Sequence, residues 1–326
     1  MAEMLIRVED LKTQFTTKRG LVKAVDGITF EIKKGERVGL VGESGCGKSV
    51  TALSLMKLVP SAPNEHVSGK IIFKGRDLVP MKDSELKGIR GKQMSMIFQD
   101  PMTSLDPVFT VGSQIMEALS IHQGLHGKES KKRAIELLAA VNIPSSETVV
   151  DYYPHQLSGG MRQRAMIAMA LSCEPELLIA DEPTTALDVS IQAQIIKLVK
   201  ELSANKGTSL LWITHDLGIV AHLCERIIVM YAGKLVEMAD TMTLFENPMH
   251  PYTQALLRLA PKLERGKDRL PPIPGTVPNL IDMPPGCRFA DRCTKCMDVC
   301  SQEPQWMEVE PGHWVSCFLY SKDEKS

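Results

Sequence analysis

The stretch "GESGCGKS", from Gly42 to Ser49, decides the fold of this chain. It fits the pattern G-x-x-x-x-G-K-[ST] and lies between the apolar segment "RVGLV" and the helical segment "VTALSLMKLV". Glycines let the backbone turn tightly, so that consecutive N–H groups and the start of the following helix point at phosphate oxygens. Lys48 is then expected to reach the β- and γ-phosphates of a nucleotide, and the Ser49 hydroxyl to ligate Mg²⁺. The residues predicted to bind the nucleotide are Gly42, Glu43, Ser44, Gly45, Cys46, Gly47, Lys48, Ser49 and Val50.

A pair of acidic residues forms the second chemical motif. The apolar run in "LLIADEP" ends in Asp181 and Glu182. The carboxyl end of a buried parallel strand lies at the sheet edge where ligands bind, so Asp181 is expected to hold Mg²⁺ through its water shell. Glu182 is expected to polarise the attacking water. Two adjacent acids after an apolar run can also form a helix N-cap, and the phosphate loop is what favours the catalytic interpretation.

The order of strand and helix signals predicts an α/β protein. Short β-rich segments alternate with turn signals over the first 75 residues, and helical periodicity follows over residues 111–142, with a break at Gly124 and Gly127. Strand and helix signals then alternate, which predicts a parallel sheet with the helical stretch inserted as a lobe. After about residue 247 the chain becomes rich in proline, so we place a domain boundary near residue 245.

A family resemblance becomes specific between the two motifs. "LSGGMRQR", residues 157–164, resembles the signature sequence of ATP-binding-cassette ATPases. Gln99 in "IFQDP" resembles the family's Q-loop glutamine, "TALD" at residues 185–188 its D-loop, and His215 in "WITHD" its switch histidine. Phe15 falls where the family places the aromatic side chain that stacks on adenine, although a Phe at the end of a strand is more often a core residue.

The resemblance covers about residues 4–245 and implies a fold. It implies a P-loop ATPase cassette, with a RecA-like core, an antiparallel β subdomain and an inserted helical signature subdomain at about residues 100–165. We therefore expect a nucleotide-binding domain over residues 1–245 and a small, irregular extension rich in Cys and Pro over residues 246–326.

The resemblance also implies roles for individual residues. Ser158, Gly159 and Gly160 open a helix, whose N-terminus is an anion site that in the family faces the γ-phosphate of a nucleotide held by a second cassette. Taken alone, "SGG" would be a turn, and a single His after a strand a surface or N-cap residue. The expected catalytic residues are Glu182, His215 and Gln99, the expected Mg²⁺ ligands are Ser49, Gln99 and Asp181, and the remaining nucleotide contacts are Phe15 and the D-loop residue Asp188.

A narrower resemblance concerns transport. Three stretches are similar to ATPase subunits of dipeptide and oligopeptide importers: "DPMTSLDPVFTVG", "YPHQLSGGMRQR" and "NPMHPYTQALL". The similarity is greatest to the first of the two ATPase subunits of dipeptide importers. This implies ATP hydrolysis with a second, usually different cassette, a separate pair of membrane permease subunits and an extracytoplasmic peptide-binding protein. The alternatives are a related nickel or oligosaccharide importer, a soluble ATPase outside transport, and a regulatory module that holds nucleotide without turnover.

Composition and charge limit the location and the partners. Lys plus Arg number 38 and Asp plus Glu 39, so no bulk charge favours nucleic acid as a partner. The N-terminus has no signal-peptide pattern, and no apolar run approaches the roughly 20 residues that span a bilayer. These features predict a cytosolic protein unless a partner holds it at a membrane, and the resemblance implies that permease subunits hold it at the cytoplasmic face.

Five of the eight cysteines lie between residues 287 and 317. Composition allows disulfides, a metal site or neighbouring buried thiols, and a reducing cytosol disfavours the disulfides. The pair Cys293-x-x-Cys296 would suit half of a zinc site. The resemblance points instead to a structural [4Fe-4S] cluster, which some peptide-importer ATPases bind through cysteines matched here by Cys287, Cys293, Cys300 and Cys317. Cys296 is then an extra cysteine and a possible alternative ligand.

Overall fold

The computed structural model describes most of the chain. The described residues are 3–59, 65–100, 104–185, 187–259, 273–281, 283 and 285–321. They fall into two compact units. The helical unit comprises the described residues of the ranges 1–3, 33–36 and 80–211, and the phosphate-loop unit comprises those of the ranges 4–32, 37–79 and 212–326.

The described part of the chain forms strands and helices in the order that the sequence predicts. The strands are β1 (Met4–Thr17), β2 (Gly20–Lys33), β3 (Arg37–Val41), β4 (Glu65–Phe73), β5 (Arg76–Asp77), β6 (Met94–Ile97), β7 (Leu177–Asp181), β8 (Ser209–Thr214), β9 (Arg226–Tyr231), β10 (Lys234–Asp240), β11 (Met307–Glu310) and β12 (His313–Val315). The helices are α1 (Lys48–Leu55), α2 (Asp83–Leu86), α3 (Val111–Gln123), α4 (Gly127–Ala140), α5 (Ser146–Val149), α6 (Gly159–Leu171), α7 (Val189–Lys206), α8 (Leu217–Leu223), α9 (Thr241–Glu246) and α10 (Pro251–Leu259). Short 3₁₀ turns occupy Pro154–Gln156, Ala290–Arg292, Asp298–Ser301 and Phe318–Tyr320.

The phosphate-loop unit contains an antiparallel sheet in the order β2-β1-β4-β5. Buried and more exposed residues largely alternate along β4, as expected for a strand with one face on the core. The register between β1 and β4 shifts between Glu9 and Lys12, where Asp10 adopts a positive φ of 46°. Thr13 of β1 hydrogen-bonds Ser54 of α1 at 2.7 Å, which ties this sheet to the helix after the phosphate loop.

A second group of strands in the same unit carries the phosphate loop. β3 and β9 are parallel, and Val38 to Val41 are aligned with Arg226 to Val229. β10 pairs antiparallel with β9, β12 with β10, and β11 with β12. β3 and β9 are buried almost throughout, which explains why "RVGLV" and "RIIVMY" are near-continuous apolar runs rather than alternating patterns.

A buried carboxylate anchors the C-terminal residues to β10. Glu237 is fully buried and accepts hydrogen bonds from the Met249 and His250 N–H groups, at 2.7 and 2.8 Å. The Nε2 atom of His313, in β12, lies 2.8 Å from the same carboxylate. Burial, partly opposed by Glu237, lowers the pKa of His250 to about 4. The Glu237 carboxyl group is tolerated at this depth because both of its oxygens have hydrogen-bond partners.

The helical unit contains the predicted lobe. β6 and β7 are parallel neighbours, and α3, α4 and α6 pack against one another. The expected helical stretch and its break are confirmed, because α3 ends at Gln123 and is capped by Gly124, in the left-handed conformation with φ 69°, and α4 begins at Gly127. The Thr110 hydroxyl caps α3 by accepting from Ser113 N at 3.2 Å. Residues 101–103, at the start of the lobe, lie outside the described residues.

The C-terminal region is more ordered than its composition suggests. The predicted proline-rich segment, residues 270–286, is irregular wherever it is described. Beyond it, however, β11 and β12 extend the sheet that carries β9 and β10. Within the described ranges, no helix combines the length and apolar character needed to cross a membrane.

Candidate functional site

The phosphate loop joins β3 to α1, as its pattern predicts. Two of its glycines are required by close approach of other backbone segments. A Cβ atom at Gly42 would lie 2.2 Å from the Met230 carbonyl oxygen, and one at Gly47, where φ is 108°, would lie 2.2 Å from the Ala24 carbonyl oxygen. Ser44 and Gly45, at the tip of the loop, are exposed. The loop is thus held against β9 and β2, and its tip is open to a ligand.

The lysine of the loop is packed within it. Only 4% of Lys48 is exposed, and its Nζ donates to the carbonyl oxygens of Gly42 at 2.8 Å and of Glu43 at 3.0 Å. Ser49 follows it in the first turn of α1 and is half-buried. The Cys46 thiol is fully buried, and burial raises its pKa. Backbone atoms of Cys46 can therefore line the loop, whereas its side chain is part of the core.

Two residues outside the predicted motifs contact the same loop. The Arg292 guanidinium donates to both carboxylate oxygens of Glu43, at 2.8 and 3.1 Å. The Glu43 N–H donates to the Tyr252 hydroxyl at 2.9 Å. Neither residue was predicted from the sequence. Tyr252 lies in the transport-specific stretch "NPMHPYTQALL" without an assigned role, and Arg292 lies between cysteines without any motif of its own.

The acidic pair lies in the helical unit, at the end of β7. Asp181 is the last residue of the strand and only 4% of it is exposed. Glu182 has a φ of 43°, an uncommon conformation for a residue with a side chain. Its Oε2 accepts from the Thr185 hydroxyl at 3.0 Å and lies 3.5 Å from the Gln99 amide nitrogen. Gln99 and Glu182, predicted separately from two motifs, therefore meet in the structure.

The signature serine and the D-loop aspartate each cap a helix. The Ser158 hydroxyl accepts from Met161 N at 3.3 Å at the start of α6, and Asp188 accepts from Ile191 N at 2.9 Å at the start of α7. Ser158, Gly159 and Asp188 are exposed. Ala186, the second residue of the predicted D-loop, lies outside the described residues. The positive end of α6 is thus presented at the surface of the helical unit.

The last two predicted residues belong to the phosphate-loop unit. His215 is exposed and follows β8 directly. Its neighbour Asp216, rather than His215, caps α8 by accepting from Gly218 N at 2.8 Å. Phe15 is half-buried on β1, opposite Glu65 of β4. Adenine stacking by Phe15 and phosphate contact by His215 both stay predictions.

The C-terminal cysteines influence one another electrostatically. The pKa values of Cys287 and Cys317 are raised to about 11, mainly by burial and in smaller part by the nearby Cys293 and Cys300. Cys296 is exposed, whereas Cys46, Cys173 and Cys224 are buried. Among the described residues, however, no three Cys, His, Asp or Glu side chains are arranged to hold a metal ion. The described residues thus contain no preformed site for the expected [4Fe-4S] cluster or for the zinc alternative.

Comparison with known proteins identifies the family. The ABC transporter family model matches residues 25–185, and the model for the C-terminal region of oligopeptide/dipeptide transporters matches residues 236–300. The probable peptide ABC transporter ATP-binding protein y4tR of Sinorhizobium fredii is 51% identical over 319 residues, which cover 97% of this chain and 95% of that protein. The chain belongs to the ATP-binding proteins of ABC peptide transporters.

Other members of this ABC family match over almost their full length. The oligopeptide transport ATP-binding protein AppD of Bacillus subtilis is 51% identical over 320 residues, covering 98% of each chain. The dipeptide transport ATP-binding protein DppD of Escherichia coli is 49% identical over 314 residues, covering 96% of each chain. Dipeptide and oligopeptide relatives are thus about equally similar to this chain.

Solved ABC cassettes share its fold. A dimeric structure of the ATP-binding cassette MJ0796 in a post-hydrolysis state, bound to ADP and Pi, has a TM-score of 0.65 at 28% identity. The match covers 72% of this chain and 98% of that one. The cassette cbiO1 from Clostridium perfringens, described as part of the transporter complex cbiONQ, has a TM-score of 0.62 and covers 75% of this chain. The predicted P-loop ATPase cassette fold is confirmed.

Proposed function

We propose that this ABC protein hydrolyses MgATP and thereby energises import of dipeptides or oligopeptides through separate membrane permease subunits. The observation that carries the proposal is the phosphate loop, with Lys48 held inside it, in a chain that peptide-transport ATP-binding proteins match from end to end. A second cassette, related but different, completes the ATPase pair, and an extracytoplasmic binding protein delivers the peptide. The chain is peripheral to the cytoplasmic face of the membrane and is held there by the permease.

Within the cassette, the predicted residues divide the chemistry of ATP hydrolysis. Lys48 and the N–H groups of the loop bind the phosphates, and Ser49, Gln99 and Asp181 bind Mg²⁺. Glu182 orients and polarises the attacking water, which is supported by the contacts that Thr185 and Gln99 make with its Oε2 atom. His215 donates to the γ-phosphate, and Phe15 stacks on adenine. The start of α6 and Asp188 act on the nucleotide of the partner cassette.

The experiment that tests this function is co-purification followed by an ATPase assay. The full-length chain, expressed with the permease and second cassette of its own organism, is purified from membranes and reconstituted. Dipeptides or oligopeptides with the binding protein are expected to stimulate hydrolysis, whereas nickel or oligosaccharides with the same assembly are not. Hydrolysis that responds to nickel or oligosaccharide instead would overturn the peptide assignment, and failure to co-purify with any permease would overturn a role in transport.

The helical lobe is proposed to dock the cytoplasmic loops of the permease and to move as one body when the γ-phosphate binds. Support comes from large apolar side chains that stand exposed in the helical unit, because such residues are typical of protein contact sites. Val108 is 69% and Phe109 54% exposed, a few residues after Gln99. A photo-crosslinking amino acid at Val108 should therefore capture permease loops, whereas one at the equally exposed Met242 should not. Crosslinks that form at Met242 and never at Val108 would reject the docking role.

We also propose that Cys287, Cys293, Cys300 and Cys317 hold a structural [4Fe-4S] cluster, with Cys296 as an alternative ligand. Support comes from the placement of the thiols, because Cys293 and Cys300 lie close enough to both Cys287 and Cys317 to act on their pKa values, and four cysteines are the ligand set of such clusters. Protein purified without oxygen should be brown, with broad absorbance near about 400 nm and roughly four irons per chain, even when Cys46, Cys173 and Cys224 are replaced. One zinc per colourless chain would favour the zinc alternative, and protein free of both metals would refute the proposal.

A further inference from the structure

The phosphate loop contains an acidic residue, which is unexpected in a segment that binds a triphosphate. Glu43 directly follows Gly42, and its side chain is partly exposed. The loop attracts phosphate through N–H groups and Lys48, whereas an unpaired carboxylate within it would repel the same phosphates. The structure shows how this charge is neutralised.

Arg292 forms a bidentate ion pair with Glu43. Its two terminal nitrogens lie 2.8 and 3.1 Å from the two carboxylate oxygens, which is the geometry that Arg favours over Lys. Only 5% of the Arg292 side chain is exposed, so the pair is little screened by solvent. Burial opposes the charge on Arg292, but its hydrogen bonds to Glu43 and Tyr231 outweigh burial, and the pKa of Arg292 lies above its usual value.

The guanidinium is itself fixed from several sides. It lies over the rings of Tyr231 and Phe289, at 5.7 and 5.9 Å from their centroids. It also donates to the carbonyl oxygens of Pro274 at 2.8 Å and Ile273 at 3.3 Å. Arg292 therefore holds Glu43 from a position set by the C-terminal region, and it is not a mobile surface side chain.

A second contact fixes the backbone at the same point of the loop. The Tyr252 hydroxyl, on α10, accepts from the Glu43 N–H at 2.9 Å. The Glu43 carbonyl oxygen meanwhile accepts from Lys48 Nζ. Side chain, N–H and carbonyl of Glu43 are thus all held, two of them by residues that lie more than 200 positions later in the chain.

We propose that Arg292 is a positioning residue for nucleotide binding, which keeps the Glu43 carboxylate paired and so lets a loop with an acidic side chain accept a triphosphate. The C-terminal region, beyond the part that the ABC transporter family model matches, thereby contributes to ATP affinity. The inference rests on ATP being the ligand of this loop.

The test measures ATP affinity of the purified full-length chain by competition with a fluorescent ATP analogue. Arg292→Ala should weaken ATP binding by about 10- to 100-fold, the range expected for loss of a buried charge-assisted contact. Adding Glu43→Gln to Arg292→Ala should restore most of that affinity, because the released negative charge is removed. Arg288→Ala is the matched control, since Arg288 is a similarly buried arginine that pairs with Asp26 and leaves Glu43 untouched.

The design separates positioning from general stabilisation. Arg292→Lys keeps the positive charge but loses the bidentate hydrogen bonds to Glu43. This variant should fold and should bind ATP several-fold more weakly than the wild type. The loss in Arg292→Ala should also be larger for ATP than for ADP, because ATP carries more negative charge. Wild-type affinity in Arg292→Ala and Arg292→Lys, or a double variant as weak as Arg292→Ala, would overturn the inference. A wild-type chain that binds no ATP would instead refute the proposed function.

Discussion

Replacing Glu182 by Gln tests the proposed chemistry most sharply, because the substitution changes charge and little else. Glu182 Oε2 accepts from the Thr185 hydroxyl at 3.0 Å and lies 3.5 Å from the Gln99 amide. The glutamine side chain has the same size and retains an oxygen that accepts from Thr185. Glu182→Gln should therefore keep the backbone, including the positive φ at this residue, and should leave ATP affinity within a few-fold of wild type.

The expected loss lies in the chemical step. Without a carboxylate to take up a proton from the attacking water, hydrolysis should slow by about 100-fold or more, which corresponds to about 3 kcal/mol or more of barrier. Thr185→Val provides a graded comparison, since it keeps the carboxylate and removes the shorter of the two contacts. The loss of that one hydrogen bond should slow hydrolysis by only about tenfold.

The assay is single-turnover hydrolysis in the assembled transporter, with nucleotide binding measured separately. The predicted order of rates is wild type, then Thr185→Val, then Glu182→Gln, with the last variant accumulating as an ATP-bound cassette pair. Retained turnover in Glu182→Gln would refute the catalytic role of Glu182. So would a loss of ATP affinity that matches the loss of turnover, because Glu182 would then be a structural residue.

Three further substitutions test separate parts of the structure. Lys48→Ala should abolish ATP binding in titrations and ATP hydrolysis in turnover assays. If this variant bound ATP as tightly as the wild type, Lys48 would not be a phosphate ligand. A Cβ atom at Gly159 meets nothing within 4 Å, so Gly159→Ala should keep the unfolding temperature of the wild type. The substitution should impair ATP-dependent pairing of the two cassettes, measured by size-exclusion chromatography. Normal pairing would contradict the proposed role of the start of α6. The pKa of His250 is lowered from 6.5 to about 4, so His250 binds its proton more readily in the unfolded state. The free energy of unfolding should therefore fall by up to about 3 kcal/mol as the pH drops from about 6.5 to 4. His250→Asn should reduce this acid loss in urea unfolding series, and an unchanged pH profile would show that other groups cause it.

The parts of the fold that could be predicted are those whose signals are local in the sequence. β3, the phosphate loop and α1 follow one another within about 20 residues, and each has its own pattern of apolar residues or glycines. The break between α3 and α4 was visible because Gly124 and Gly127 interrupt a clear helical period. The meeting of Gln99 with Glu182 required the family resemblance, since 83 positions separate them.

The parts that could not be predicted depend on long-range contacts without a motif. β12 has only three residues, too few for a periodic signal, and both its pairing with β10 and the contact of its His313 with Glu237 are long-range. Arg292 reads in the sequence as one more charged residue between cysteines, and its partner Glu43 lies 249 positions away. Nothing in composition or spacing connects the two, so the tie between the C-terminal region and the phosphate loop emerged only from the structure.

The cysteine-rich end shows a different limit. Spacing brought Cys287, Cys293, Cys300 and Cys317 into one hypothesis, and in the structure Cys293 and Cys300 contribute to the raised pKa values of both Cys287 and Cys317. Ligation, however, depends on side-chain directions and on a metal that spacing does not specify. The described side chains do not converge into a ready metal site, so iron and zinc analysis of the purified protein decides this question.

ATP-driven uptake of a labelled peptide tests the central claim most directly. Proteoliposomes would contain the full-length chain, its partner cassette and permease, with binding protein and labelled dipeptide or oligopeptide outside and MgATP on the cassette side. Peptide should accumulate only with ATP, and Glu182→Gln should abolish accumulation. ATP hydrolysis by this assembly without uptake of any peptide, or equal uptake with Glu182→Gln, would contradict the central claim.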